Sequence, residues 1–183
     1  MGALRVRSAL PALVAAALAL GACTANEDRQ AAICPRAGIL PDANTVVLFR
    51  DGPGRDLTDV IAQAQIVDVA VGCVYTSGRR PPGVTLDLQI AIAAERGPAD
   101  RARRAALPYF VAILDGDQNI VAKEYFEARF EFPDNRTRVG RVDELEPVIP
   151  LRSNFDGPSY RVMVGFQLNA DQLAWNRRQR GER

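Results

Sequence analysis

Histidine is absent from the 183-residue chain, and lysine occurs once, as Lys123. Without histidine, Ser-His-Asp and Cys-His catalysis, histidine metal ligation and histidine pH switching are all excluded. No stretch beyond the first 22 residues is apolar over the ~20 residues that span a bilayer. The formal net charge of +1 gives no general reason to expect nucleic acid as a partner. The sequence therefore says more about location and architecture than about catalysis.

The N-terminus has the three zones of an export signal. Residues 1–7 are short and basic, residues 9–20 are apolar and rich in Ala and Leu, and small residues then lead into Cys23. The apolar run is shorter than a comfortable membrane span, and Pro11 within it disfavours a membrane helix. We therefore expect this segment to direct export.

The end of the run adds a more specific signal. Residues 20–23, Leu-Gly-Ala-Cys, resemble the lipobox of bacterial lipoprotein precursors. The resemblance implies a diacylglycerol on the Cys23 sulfur and cleavage before it, so that residues 1–22 are the signal peptide. Thr24, in place of Asp, implies an outer-membrane location facing the periplasm. The alternative is an ordinary signal peptide cleaved near Ala22, with Cys23 incidental.

The remaining cysteines form a pair once Cys23 is assigned to lipid. An even number of cysteines in an oxidising compartment predicts a Cys34–Cys73 disulfide. It would close a loop of about 40 residues and contribute roughly 4 kcal/mol in the chain-entropy model. A reactive thiol pair is the alternative, but the sequence has no C-x-x-C spacing that would lower a thiol pKa.

Three segments are expected in the chain. The first is the signal peptide, and residues 23–33 form a lipidated tether. The ten residues after Cys23 reach at most about 35 Å when extended. Residues 34–183 form a single domain, because this length suits one core. Cleavage would remove Arg5 and Arg7 and no acidic residue, which leaves 21 basic and 22 acidic side chains.

The mature chain is predicted to be all-β. Two-residue alternation indicates strands over residues 66–75, 84–95, 120–132 and 159–168, and apolar runs indicate strands over 44–50 and 109–114. Residues 145–151 suit a short edge strand because two prolines interrupt them. We expect an immunoglobulin-like antiparallel β-sandwich of six or seven strands, resembling immunoglobulin or fibronectin type III domains in architecture only. A small barrel is the alternative.

The connections complete this prediction. Residues 77–83, 97–106 and 154–158 have loop composition, and residues 115–119 suit a tight hairpin turn. Residues 57–64 have helical spacing, and form one or two turns or continue directly into a strand. Val67 is expected on the same face as Val69. Asn169 and Gln172 form a predicted capping box for a short C-terminal helix that docks through Leu173 or Trp175.

Five groups of charged residues suggest a possible function, and each also has a plainer interpretation. Residues 115–119 have the D-x-D-x-N pattern that begins a calcium-binding loop. The Gly that such a loop needs is replaced by Ile120, and its Glu by Phe126, so a hairpin turn fits better. Three carboxylates in and beside a glycine-rich loop could bind a cation: Asp51, Asp56 and Asp59. The plainer interpretation is that Asp51 starts a turn and Asp56 caps a short helix. Glu124, Glu127 and Glu131 could be paired carboxylates for glycoside chemistry. The plainer interpretation is that Glu127 and Glu131 point outward from one strand, with Glu124 on the opposite parity. Two groups of arginines could contact anionic lipid headgroups or an acidic partner, or could simply be solvated: Arg101, Arg103 and Arg104, and Arg177, Arg178 and Arg180.

The plainer readings prevail, so we predict no catalytic, cofactor-binding or metal-binding residue and no enzyme activity. We expect a lipid-anchored, periplasm-facing module that contacts the membrane through its anchor and binds an envelope protein, for example by strand addition. The alternative is a carrier for an apolar or lipid-like ligand held between the sheets, which requires a cavity of some hundreds of Å³.

Overall fold

The computed structural model describes residues 33–53, 55–76, 82–152 and 157–181. The predicted signal peptide, Cys23 and most of the tether lie outside the described residues, as do parts of the predicted loops at 77–83 and 154–158. The described residues belong to one compact unit. Among the described residues, no helix has the length and apolar character needed to cross a membrane.

Nine strands and one α-helix are described in chain order. The strands are β1 (Arg36–Ile39), β2 (Thr45–Phe49), β3 (Val60–Thr76), β4 (Gly83–Arg96), β5 (Arg104–Leu114), β6 (Ile120–Glu131), β7 (Arg138–Leu145), β8 (Val148–Pro150) and β9 (Arg161–Phe166). The helix α1 is Ala170–Gln179, and short 3-10 turns cover Pro41–Ala43, Leu57–Asp59 and Gly157–Ser159.

The strands form two facing sheets, which confirms the predicted all-β sandwich. One sheet has the order β1-β9-β5-β6, in which β1 runs parallel to β9 and the other pairs are antiparallel. The other has the order β2-β3-β4-β7, and β8 pairs with the start of β4 beside β7. The likeness to immunoglobulin-like domains is therefore one of architecture, with the strand order of this chain.

The core lies between the sheets and follows the two-residue period. Leu86, Leu88 and Ile90 of β4 have no exposed surface, and they face β5 residues such as Leu107 and β9 residues such as Val164. Burial of each such side chain contributes about 1.5–3 kcal/mol. The alternation that predicted strand β4 is thus the alternation that fills the core.

All seven predicted strands are present, and two more were not foreseen. β1 is only four residues long, and β7 carries Arg141 and Asp143 where apolar residues would mark its inner face. β5 also begins at Arg104, so the loop predicted over residues 97–106 is shorter than expected. The first inward side chains of β5 are small, since Ala105 lies there, and this hid the strand start.

The prediction for Val67 is wrong because β3 contains a bulge. The β3–β4 register shifts between Ile66 and Asp68, so Val67 is an extra residue and its side chain is half exposed. A bulge reverses the face of every residue beyond it. Ile66 therefore faces inward before the bulge, and Val69 faces inward after it.

The predicted disulfide and helix cap are confirmed. Cys34 is bonded to Cys73, which joins the start of β1 in one sheet to β3 in the other. Asn169 and Gln172 form the reciprocal capping box of α1. Trp175 docks on Phe49 of β2, with ring centroids 5.7 Å apart in an edge-to-face arrangement.

Candidate functional site

The two sheets part along one side of the sandwich, between the edge strand β6 and the edge formed by β7 and β8. We call this region the open side. Arg141 of β7 crosses it and donates to the backbone oxygen of Arg129 on β6, at 2.9 Å. That contact closes the open side at one level, and the side chains nearer β8 leave a cleft.

A buried polar network forms the closed part of the open side. The hydroxyl of Tyr109 on β5 donates to a carboxylate oxygen of Asp143 on β7, at 2.8 Å, and Arg141 pairs with the same carboxylate. Tyr109 is 1% exposed and Asp143 is 9% exposed. Burial, then the hydrogen bond to Asp143, raises the pKa of Tyr109 above its ordinary value of 10.0. The network therefore bridges the sheets with the phenol kept protonated.

Phe126 of β6 separates this network from the cleft. Its ring stacks on Tyr109, with centroids 5.4 Å apart. The lateral cleft beyond it is lined by Val111, Ile113, Ala122, Glu124, Phe126, Leu145, Glu146, Pro147 and Val148, and has a volume of about 270 Å³. Most of the lining is aliphatic or aromatic, so the cleft is an extension of the core that opens to solvent.

The charge at the cleft is negative. Glu124 opposes Val111 of β5 and shares the inward parity of Phe126, as the sequence predicts. Its side chain is nevertheless exposed, because it lines the open cleft. Glu146 lines the opposite wall. The described residues that line the cleft include no lysine or arginine. An occupant with an apolar group beside a cation fits this lining by charge and by polarity.

The edge of β6 is open along the cleft. β6 pairs only with β5 among the described strands. Its outer side carries Ile120, Val121 and Tyr125, all more than half exposed. Unpaired edges that display apolar side chains are ready templates for an added strand. Because Arg129 already accepts from Arg141, the available edge lies on the N-terminal side of that residue.

A wider groove, of about 830 Å³, lies between α1 and the outer face of the β2-β3-β4 region. Several of its polar groups bond to one another or to the neighbouring backbone. Arg138 pairs with Glu95 at 2.7 Å, and the amide of Asn176 donates to the backbone oxygens of Asp42 and Thr45. The pKa of Glu95 is lowered chiefly by its hydrogen bond with Arg138. We therefore interpret this groove as the place where α1 packs on the domain.

The predicted calcium-like loop is a hairpin turn. Asp115 accepts from the backbone N–H groups of Asp117 and Asn119, at 3.0 and 2.9 Å, and these bonds shape the β5–β6 connection. The pKa of Asp115 is lowered, first by the backbone hydrogen bond from Asn119. The hairpin prediction is confirmed, and the carboxylate oxygens serve the turn itself.

The carboxylates near the glycine-rich loop also have structural partners. Asp56 caps the Leu57–Asp59 turn by accepting from the Thr58 N–H at 2.8 Å, which confirms its predicted capping role. The pKa of Asp56 is lowered, first by the hydrogen bond from the Thr58 hydroxyl and then by the one from the Thr58 N–H. Asp59 is 2% exposed and pairs with Arg50. Across the described ranges, no three His, Cys, Asp or Glu side chains are grouped to hold a metal ion.

The other singled-out residues are spread over the molecule. Glu127 pairs with Arg129 on the outer face of β6, so it lies on the opposite face from Glu124. Arg103 donates to the backbone oxygens of Phe132 and Pro133. In the tail, Arg177 and Arg180 pair with Asp42. Of the residues selected from sequence, only Glu124 lines the lateral cleft.

Sequence reasoning missed the network and most of the cleft. Asp143 gave one usable signal, because the alternation Val-x-Arg-x-Asp-x-Leu over residues 139–145 places it as a charge at an inward position. Such a charge is either an edge device or a buried partner. A scan against protein-family models, a search of curated proteins and a search of solved structures each find no match to this chain. The site is therefore interpreted from its own geometry.

Proposed function

We propose that this chain is a lipid-anchored, periplasm-facing lipoprotein of the cell envelope that acts without catalysis, by binding a partner protein at the open side of its sandwich. The lipobox-like residues 20–23 support the anchor, with Cys23 as the lipidated residue and the outer membrane as its site. The observation that carries the binding role is the lateral cleft beside the unpaired edge of β6.

A strand added alongside β6 would use both features. Backbone hydrogen bonds to the β6 edge would extend the four-stranded sheet, and every second side chain of the added strand would point towards the cleft. The acidic side chains of Glu124 and Glu146, on opposite walls of the cleft, favour a partner segment with a lysine or arginine beside its apolar anchor. A short, extended, basic-apolar segment is thus the best occupant.

The volume of the cleft favours the first of the two functional candidates. Sites that enclose small-molecule ligands usually measure about 300–1,000 Å³. At about 270 Å³ the lateral cleft is below that range, and it matches an inserted side chain better than a lipid molecule. The apolar-ligand carrier remains the second candidate, because the lining aliphatic residues lie between the sheets as that function requires.

Site-specific photo-crosslinking in intact envelopes tests the proposal. A photoreactive residue replaces Tyr125, which is 63% exposed on β6, and a control replaces Leu57, which is 78% exposed and lies far from the cleft. We expect one defined protein adduct from position 125 only. Equal adducts from both positions, or none from either, would contradict a protein site on the open side.

A cleft-filling variant refines this test. Ala122→Phe places a ring in the cleft, and Ala106→Phe makes the same change on the outward face of β5. The adduct should be lost in the first variant and kept in the second. If Ala122→Phe instead removes a co-purifying amphiphile detected by mass spectrometry and leaves crosslinking unchanged, the carrier function replaces the binding role.

A further inference from the structure

The chain enters the sandwich at one end, which we call the entry end. Ile33 is the first described residue, and its backbone oxygen accepts from the Tyr75 hydroxyl at 2.7 Å. The next residue, Cys34, is bonded to Cys73, and their Cα atoms are 5.6 Å apart. The end of β3 and the start of β4 therefore lie where the preceding 32 residues join the domain.

Exposed aliphatic side chains gather at the entry end. The described residues include ten exposed large apolar side chains, and half of them lie here: Ile33, Val74, Ile120, Val121 and Val148. Val74 and Val148 flank Thr85 in one row across three strands, and Ile120 opposes Leu114 in the other sheet. Both sheets thus present apolar groups at the end that carries the tether.

Arginines accompany these aliphatic groups. Arg36 of β1 is the register partner of Arg161 of β9, and Arg161 in turn opposes Leu114. Arg152 lies beside Asp115, whose oxygens also accept from the hairpin turn. Like charges on facing strand positions repel each other, and an anionic surface would relieve that repulsion.

The arginine loops singled out from sequence lie elsewhere. Arg101 and Arg104 follow the end of β4, whereas the entry end is at the start of that strand. A 14-residue strand is about 45 Å long. Those loops therefore cannot rest on the same flat surface as the entry end when the domain stands on that end.

We infer that the entry end is a membrane-docking face, which holds the sandwich against an anionic phospholipid bilayer through shallow insertion of its aliphatic side chains and arginine contacts with phosphate groups. This inference rests on the lipid anchor proposed for Cys23, since the anchored chain joins the domain at this end. The bilayer is favoured over other occupants because the tether of at most about 35 Å keeps this end near the membrane.

Vesicle binding tests the face without the anchor. The mature chain carrying Cys23→Ser, which has no lipid, is sedimented with phosphatidylglycerol-rich vesicles and with neutral phosphatidylcholine vesicles. We expect preference for the anionic vesicles, weakened about 25-fold by Arg36→Gln with Arg161→Gln, or about fivefold for each charge. Arg101→Gln with Arg104→Gln is the matched control and should leave binding unchanged.

A second pair of variants tests the aliphatic groups. Val74→Glu with Ile120→Glu should abolish vesicle binding, while Val67→Glu with Val142→Glu, at strand positions that are also more than half exposed, should keep it. Circular dichroism of all four variants checks that each is folded. Equal vesicle affinity of the entry-end variants and their controls would overturn the docking face.

Hydrogen exchange on the full, anchored chain in vesicles gives the independent readout. Residues 72–76 and 120–122 should gain protection relative to the same chain in detergent, and residues 97–103 should not. Protection at the 97–103 end alone would overturn the inference. The intact mass of the chain from membranes reports lipidation of Cys23 separately, so a failed anchor and a failed docking face are distinguishable.

Discussion

The Cys34–Cys73 bond provides the most quantitative test of how the fold is held together. β1 has four residues and pairs only with β9 among the described strands, so few backbone hydrogen bonds hold it. The disulfide adds a covalent link from that edge to β3 in the opposite sheet. We expect replacement of both cysteines by serine to destabilise the whole domain and to release β1 first.

The expected magnitude follows from the sequence separation of 39 residues. Loop-closure entropy for such a separation gives a stabilisation of about 4 kcal/mol at 25 °C. Domains are usually stable by roughly 5–15 kcal/mol, so the bond supplies a large share of the free energy of unfolding. For a domain of this size, the loss corresponds to a fall in Tm of roughly 8–16 °C.

Urea denaturation of Cys34→Ser with Cys73→Ser, beside the oxidised wild type, measures this loss. The wild type reduced with dithiothreitol serves as the matched control and should show the same shift in midpoint. Hydrogen exchange should show early loss of protection at the Leu40 amide, which donates to the backbone oxygen of Val164. A loss below about 1 kcal/mol, with protection of β1 unchanged, would refute the assigned role of the bond.

Three further predictions follow from individual contacts. Tyr109→Phe removes the hydroxyl that donates to the buried carboxylate of β7, and should cost about 1.5–3 kcal/mol in denaturant titrations. Because the pKa of Tyr109 is raised, its stabilising contribution is present below pH 10 and is lost as the pH rises. The stability of the variant should therefore decline less than that of the wild type above pH 10. Asp115 has a pKa below its ordinary 3.8, so its contribution to the stability of the fold is present above that value and is lost on acidification. The stability of Asp115→Asn should therefore fall less steeply with decreasing pH than that of the wild type. An unchanged slope would contradict the turn bonding. At Gly97 an added Cβ would collide with the backbone oxygen of Val60, the first β3 residue, so Gly97→Ala should cost about 1–3 kcal/mol or more by thermal melting. In the control Gly140→Ala, the added Cβ meets only a backbone oxygen at 3.7 Å, and the cost should be less than half as large.

The sandwich was predictable because its core strands alternate cleanly. β4 shows this best, since every second residue from Val84 to Ala94 is buried and the sequence displays the same pattern. The helix cap at Asn169 and the Cys34–Cys73 pair were equally readable, because each depends on local chemistry or on simple parity. Local periodicity and pairing rules therefore account for the architecture.

The details that escaped prediction depend on neighbours that a single strand does not reveal. The bulge at Val67 reverses the facing of β3, although the apolar composition continues without interruption. β7 was hidden because Arg141 and Asp143 take its inward positions, and their partners come from β5 and β6. The lateral cleft likewise arises where three separate segments meet, so the strand pattern predicts the inward parity of Phe126 and Glu124 but not the cleft that they line.

Crosslink yield at position 125 is the most direct test of the proposed binding role, measured in the wild type, Ala106→Phe and Ala122→Phe at equal protein levels. Blocking a central anchor usually costs at least 2 kcal/mol of binding, which is about thirtyfold in affinity. We predict equal adduct from the wild type and Ala106→Phe, and a fall of about that size at limiting partner for Ala122→Phe. The same yield from all three chains would contradict a partner site on the open side of the sandwich.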